Sequence, residues 1–350
     1  MRFHFFSVLC PLLLLLSGCA GCSAPAEETP PAQRQLFAMD TLMSLTVYGP
    51  QGEAAVQAAQ QELSRLDGLL SRTDPDSQIS QLNARAGDGT WVPLEPETAG
   101  ALEFAQQTAQ LLPGDFDCTI APVMDAWGFT KQECRMPAPA QLERSLSLVD
   151  SAALLVDPSI PAARLERADM AVDLGAVAKG FAAGRAVKAV LDAGASSALL
   201  DLGRNVTVLG DGPGGPLWRV AVIDPQDAGR YLGVVAMRDQ TASTSGGYER
   251  YFEQDGIRYH HIIDPKTGYP ADSGLLSVTV ISSDPQLADA LSTALFVAGK
   301  DSALDFWRGR EDFELILCSA GGTVTVTEGL EDYFQFQGDA YGYTCETARR

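Results

Sequence analysis

Beyond residue 36 the chain switches repeatedly between a period of two and a period near 3.6. LMSLTVYG (42–49) is apolar and β-branched and stops at a glycine, which predicts a strand. EAAVQAAQQELSRLDGLLSR (53–72) sets Val56, Leu63, Leu66 and Leu70 at helical spacing among strong helix formers, which predicts a helix. A second amphipathic helix is predicted over 98–112, broken by Pro113 and Gly114. A short helix over 140–149 and a strand over 153–157 follow. ADMAVDLG (168–175) reads as a strand running into a helix that extends to about Ala193, with Asp173 as its cap. The stretches 198–210 and 217–225 read as two strands around the turn DGPGG (211–215). YLGVVAM, TASTSGGYERYFE and IRYHHIIDP continue in the β mode, and LLSVTVIS (275–282) is a further strand. DPQLADALSTALFVAG (284–299) reads as a helix, with Asp284 as N-cap and Pro285 in the first turn. FELILCSA and TVTVTEG form a hairpin about Gly321-Gly322. There is no internal repeat. Hairpins mixed with helices of unequal length predict an α+β domain over 36–350, in which mixed sheets carry packed helices.

The first residues follow another logic. Arg2 precedes an apolar run from Phe5 to Leu16, interrupted by Ser7, Cys10 and Pro11, and the run ends in Leu16-Ser17-Gly18-Cys19. The run is too short for a comfortable bilayer span but suits a signal peptide over 1–18. Small residues before a cysteine match the pattern in which Cys19 is acylated and becomes the new N-terminus. Residues 19–35, rich in Pro, Ala and Glu, read as a flexible tether. The expectation is a lipoprotein anchored on the extracytoplasmic face of a membrane. Cys19 and Cys22 also form a CxxC, but it abuts the leader and not a βαβ unit. Setting Cys10 and Cys19 aside leaves Cys22, Cys118, Cys134, Cys318 and Cys345 of the seven cysteines, and their spacings fit no zinc site.

Composition narrows the function. Of 350 residues, 46% are hydrophobic and 20% charged, which excludes collagenous, low-complexity and multi-span membrane chains. Lys plus Arg total 25 against 45 Asp plus Glu, a formal charge of −20 that argues against nucleic-acid partners. A phosphorylated small ligand stays open, because a local site or a metal ion overrides the global field.

Four constellations could carry chemistry. In DLGAVAKGFAAG (173–184) the first helical turn is nearly bare, with Gly175, Ala176 and Ala178, and Lys179 adds a cation. Such a terminus suits a phosphate, and equally suits tight packing on a sheet. Asp289 and Thr293 are four apart in ADALSTA and share a helix face. A carboxylate and a hydroxyl are hard donors suited to Mg²⁺, though such pairs also decorate ordinary polar faces. HHIIDPKTG (260–268) offers His261 as an acid/base group, or is a turn bearing exposed histidines. STSGGY (243–248) could present backbone N–H groups to an anion. There is no GxSxG elbow, P-loop or HExxH.

The order of these pieces is specific. AMDT near the start of the fold, DSQISQLN (76–83), FDCTIAPVMDAWGF (116–129), DLGAVAKG, STSGGY, HHIIDPKTG and ADALSTA together resemble the ApbE family of FAD:protein FMN transferases, from about Met39 to Gly299. The resemblance implies an α+β, T-fold-related architecture. It also implies Mg²⁺-dependent cleavage of the FAD pyrophosphate, with FMN passed to a Ser or Thr of an exported acceptor and AMP released. A redox-complex subunit with a Ser/Thr motif is the expected acceptor. Some relatives of this kind hydrolyse FAD instead, and flavin binding without catalysis is a third reading. The implied metal ligands are the Ala176 carbonyl, Asp289 and Thr293. The implied FAD contacts are Met39, Ser77, Phe116, Asp117, Cys118, Thr119, Asp173, Lys179, Ser245 and Ile263. His261 is the candidate base, with Asp289 second. Arg204 stands where many members carry a glycine, and Cys118 where an aliphatic residue is commoner.

Overall fold

The computed structural model describes residues 30–350 except 131, 132 and 158. The leader, Cys19, Cys22 and residues 19–29 of the expected tether lie outside the described residues. The tether ends earlier than expected, because Ala32–Ala38 form strand β1, paired antiparallel with β2 (Thr41–Tyr48) from Ala32↔Val47 to Ala38↔Thr41. Half-buried Ala32, Arg34 and Leu36 alternate with exposed Gln33, Gln35 and Phe37, a period of two that an Ala/Gln-rich composition conceals.

Next come α1 (Gly52–Leu70), α2 (Gln78–Ala84), β3 (Val92–Pro93), α3 (Pro96–Leu111), α4 (Ala121–Trp127) and α5 (Pro139–Leu146). They are followed by β4 (Leu154–Val156), β5 (Ala162–Leu165) and α6 (Ala178–Asp192). The second half holds β6 (Ser197–Asp201), β7 (Asn205–Leu209), β8 (Trp218–Asp224), β9 (Asp227–Met237), β10 (Gln240–Gly246), β11 (Tyr251–Gln254), β12 (Ile257–His260) and β13 (Leu275–Ser282). It ends with α7 (Pro285–Ala298), α8 (Lys300–Arg308), β14 (Phe313–Ser319), β15 (Thr323–Thr327), β16 (Phe334–Phe336) and β17 (Thr344–Ala348).

The main sheet has nine strands in the order β1-β2-β6-β7-β10-β13-β14-β15-β17. Each pair is antiparallel except β15 with β17. Helices α1, α6 and α7 pack together on one face, where Val56, Leu63, Leu66, Ala182, Ala186, Leu291 and Leu295 are buried. The other face is covered at its centre by the sheet β16-β9-β8, through Trp218, Val220, Leu232, Val235, Ile281 and Val326. Cover on both faces explains why β13 reads as an almost unbroken apolar run. The small sheet β3-β5-β4 lies beside α3. An aromatic group of Trp127, Phe129, Phe252 and Tyr259 supports the β11–β12 hairpin.

Three expectations are corrected. Residues 198–210 are not one strand but the hairpin β6–β7, whose turn uses Gly203 and Arg204 at φ of 73° and 67°. The Asp201 carboxylate holds that turn by accepting the N–H groups of both. The DGPGG stretch therefore joins different sheets, β7 in the nine-stranded one and β8 in the sheet β16-β9-β8. Residues 168–175 form no ladder, and α6 begins only at Ala178, with Val177 and not Asp173 at its N-cap. Among the described residues the four cysteines are free, and no helix is long and apolar enough to cross a membrane.

Candidate active site

Helix α7 is placed by its own start. The Asp284 carboxylate accepts the N–H groups of Gln286 and Leu287, and Pro285 fixes the first turn. The resulting phase buries Asp289, which is 3% exposed, against α6 and β10. Its Oδ2 accepts the Gly180 N–H at 2.8 Å, and its Oδ1 accepts the Ser243 hydroxyl at 3.2 Å. The Lys179 ammonium lies 3.6 Å from Oδ1 and donates to the Gly175 carbonyl at 3.4 Å. One cation thus ties the turn carrying Ala176 to the carboxylate of α7. Buried charge of this kind persists only with such partners.

The bare start of α6 therefore does two jobs. A first-turn amide meets a carboxylate of the protein itself, and the small residues admit α7. A Cβ on Gly180 would stand 2.3 Å from the Pro285 carbonyl oxygen and 2.6 Å from Asp289 Cβ. Tight packing is seen at Gly180, against α7 and not against a sheet.

One turn beyond Asp289, Thr293 Oγ1 lies 3.0 Å from Ser245 Oγ, which is 2.8 Å from Ser292 Oγ. Asp289 and Thr293 share one face of α7, as the i,i+4 spacing predicted, and Ser245 of β10 lies against Thr293. Ser243 is the residue that sequence reading missed as a partner of Asp289. Its signal was alternation, since residues 243 and 245 share one face of β10.

The other candidates line neighbouring loops. Asp173 Oδ1 accepts the Gly175 N–H at 2.8 Å, and its own N–H donates to the Cys118 carbonyl at 2.8 Å. The Asp117 carboxylate accepts from Thr119 N, Thr119 Oγ1 and Ser151 N, while Thr119 Oγ1 accepts from Asp150 N. Phe116, Cys118 and Thr119 are buried, and burial pushes the Cys118 thiol pKa far up. These side chains build and brace the loop. Ser77 is likewise a structural cap: it is 1% exposed, accepts the Ser80 N–H and donates to the Ser71 carbonyl. Met39 sits in a left-handed turn with Asp40, its N–H held by Asp67.

The histidine loop is mounted on aromatic rings. Ile263 is buried among Trp127, Leu142 and Tyr259, and Trp127 Nε1 donates to the Gly268 carbonyl at 2.7 Å. Lys266 ties the loop to Asp115, next to Phe116. His260 turns inward, its Nε2 3.0 Å from the Ala271 carbonyl and its ring edge-on to Phe296. His261 is half-buried, with Nδ1 3.2 Å from the Arg250 carbonyl. Burial, followed by the Arg250 guanidinium, pushes its pKa down to about 3, so the ring is neutral near pH 7. Arg250 also donates to the Asp40 carbonyl at 2.8 Å, joining this loop to the Met39 turn.

Arg204 packs over the Tyr248 ring, 5.0 Å from its centroid, and pairs with Glu249 at 3.2 Å. Burial raises the Glu249 carboxyl above its usual range. No group of three His, Cys, Asp or Glu is placed to hold a metal ion among the described residues. The oxygen set around Asp289 is one carboxylate with hydroxyls and carbonyls. A separate cleft of about 480 Å³, lined by Gln81, Arg85 and Trp91, shares no residue with it.

Comparison with known proteins identifies the family. The ApbE family model matches residues 39–317. The FAD:protein FMN transferase of Treponema pallidum is 32% identical over 339 residues, covering 92% of this chain and 93% of that protein. The Klebsiella pneumoniae protein of the same name is 33% identical, covering 79% and 85%. The crystal structure of the ApbE protein from Thermotoga maritima superposes with a TM-score of 0.80 at 32% identity, covering 87% of this chain and 99% of that one. Flavinyl transferase ApbE from Pseudomonas stutzeri gives 0.77 at 25% identity, covering 89% and 99%. The chain belongs to the ApbE family, the flavin transferases.

Proposed function

We propose that this chain cleaves the pyrophosphate of FAD with the help of Mg²⁺ and transfers FMN to a Ser or Thr hydroxyl of an exported acceptor protein, releasing AMP. The observation that carries this reading is the buried Asp289, joined by Lys179 to the turn that bears Ala176 and followed one turn later by Thr293. The names of the relatives supply the substrate class.

The donor set fits Mg²⁺. The ion prefers hard oxygens and keeps part of its shell for water and substrate phosphates, so one carboxylate, one hydroxyl and one carbonyl suffice. Asp289, Thr293 and the Ala176 carbonyl would hold it. When bound, it neutralises charge on phosphate oxygens. Lys179 offers a further positive charge beside the diphosphate. Asp173, Ser245 and the backbone around Met39, Phe116–Thr119 and Ile263 would orient the dinucleotide.

His261 would take the proton of the attacking hydroxyl. A neutral ring that donates Nδ1–H to the Arg250 carbonyl keeps Nε2 as a proton acceptor. Its low proton affinity rises when a phosphate dianion arrives, because nearby negative charge favours imidazolium. Cys19 acylation would anchor the enzyme on the outer side of a membrane, beside exported acceptors such as redox-complex subunits.

The test is FAD incubated with Mg²⁺, with and without a candidate acceptor. AMP formed only with the acceptor, together with an FMN mass increment on it, is the expected result. AMP without acceptor identifies a pyrophosphatase, and absence of AMP identifies a binder. For the anchor, Cys19→Ser is expected to move the protein from the membrane to the soluble fraction.

A further inference from the structure

The stretch 168–175 has strand chemistry and no strand neighbour, so other groups must hold it. Two side chains from the preceding region do so. Asn83, in the last turn of α2, accepts the Val172 N–H at 2.7 Å and donates from Nδ2 to the Val172 carbonyl at 3.0 Å. Its amide imitates one residue of a neighbouring strand. Arg72, just after α1, donates from Nη1 to Asp173 Oδ2 at 3.1 Å and to Thr130 Oγ1 at 2.7 Å. Its Nη2 donates to Asp125 Oδ1 at 2.8 Å.

The contacts continue inward. Asp173 Oδ1 holds the Gly175 N–H, and the Gly175 carbonyl receives Lys179, which also faces Asp289. The Arg72 side chain is only 13% exposed, and its Nε is buried with no partner among the described residues. A permanently charged group kept in such a place costs desolvation free energy, and an unsatisfied N–H adds to it. Fixed orientation of a neighbouring carboxylate is what a planar guanidinium provides in return.

We propose that Arg72 and Asn83 are positioning residues for the reaction: together they set the direction of the Val172–Ala176 backbone, and with it the Ala176 carbonyl, relative to Asp289. Neither touches substrate. The inference rests on the proposed role of the Ala176 turn, and it adds two residues that act on that turn from outside. It also explains why DSQISQLN and DLGAVAKG occur together.

The test uses the full chain and the variants Arg72→Ala, Asn83→Asp and Asp125→Asn. Flavin fluorescence reports FAD binding as Mg²⁺ is raised, and FMN transfer gives kcat and KM. Arg72→Ala and Asn83→Asp are expected to raise the Mg²⁺ needed for half-maximal FAD binding by about tenfold or more, the usual effect of losing a group that orients a ligand. Guanidinium ion is expected to restore Arg72→Ala. Asp125→Asn leaves Asp173 held and is expected to change binding by less than about twofold. An unaltered Mg²⁺ requirement in Arg72→Ala, failure of guanidinium rescue, or an equal loss in Asp125→Asn would overturn the proposal. Amide exchange checks the clamp without FAD in a further variant, Asn83→Ala, which removes the acceptor of the Val172 N–H: protection at Val172 should be lost, and unchanged protection there counts against the proposal. A wild-type chain that neither binds nor cleaves FAD would instead sink the functional reading, with the exchange result still judging the clamp.

Discussion

Asp289 is buried yet surrounded by donors, so its charge and its shape can be separated. Asp289→Asn keeps the shape and removes the charge. FMN transfer is expected to fall by about a hundredfold or more if Asp289 holds Mg²⁺ as proposed, since the carboxylate would lose its charge. Circular dichroism should stay native, because the amide oxygen can still accept the Gly180 N–H. His261 gives a second test. An unfolded histidine titrates near 6.5, whereas the folded ring is held down to about 3. As pH falls through this window, the unfolded chain takes up a proton that the folded chain does not, so the fold loses stability. Between about pH 7 and pH 5, wild type should lose up to roughly 2 kcal/mol more than His261→Asn, read from urea midpoints. Parallel pH curves would show the ring to be solvated. At this scale Asp289, Thr293 and His261 could be singled out as candidates, because spacing on one helix and a rare residue type are local signals. Ser243, Arg72 and Asn83 were hidden, because their partners lie far along the chain.

Among the elements, α7 was the most legible. Asp284 and Pro285 announce its start, and the next residues keep one period to Ala298. Asp284→Ala should cost about 1 kcal/mol of stability, the usual effect of a lost N-cap. It should also lower transfer, because Asp289 sits one turn further along. A shift of the urea midpoint without loss of transfer would show that the first turn does not set the carboxylate. The β6–β7 hairpin was illegible for a local reason. Its left-handed pair is Gly203-Arg204, not the Asn-Gly expected of tight hairpins, so the glycine-rich DGPGG drew attention instead. The stretch 168–175 misled because side chains can hold an extended backbone as a strand does, and periodicity does not distinguish the two.

For the whole molecule, the α+β class followed from the mixture of periods, whereas strand order did not. Pairing of β2 with β6, or β15 with β17, joins segments that no local pattern links. The last strand offers a test of how the molecule divides its tasks. β17 lies four places from β10 in the sheet, and Lys300–Glu346, Arg349–Glu331 and Arg350–Glu314 pairs tie the C-terminal segment down. Removing residues 344–350 should cost on the order of 3 kcal/mol, from several ladder hydrogen bonds at about 1 kcal/mol each. The kcat of the remaining folded protein should be unchanged at low temperature. A fall in kcat without loss of stability would show that this edge communicates with the site.

The contact at Gly180 has a wider consequence. Where α6 and α7 cross there is no room for even one methyl group, so helix separation and carboxylate placement are a single quantity. Any side chain at that point would spread the helices and draw Asp289 off the amide it meets. Among chains of similar sequence, a missing glycine there would therefore flag a protein that keeps the architecture but has lost the alignment its chemistry needs.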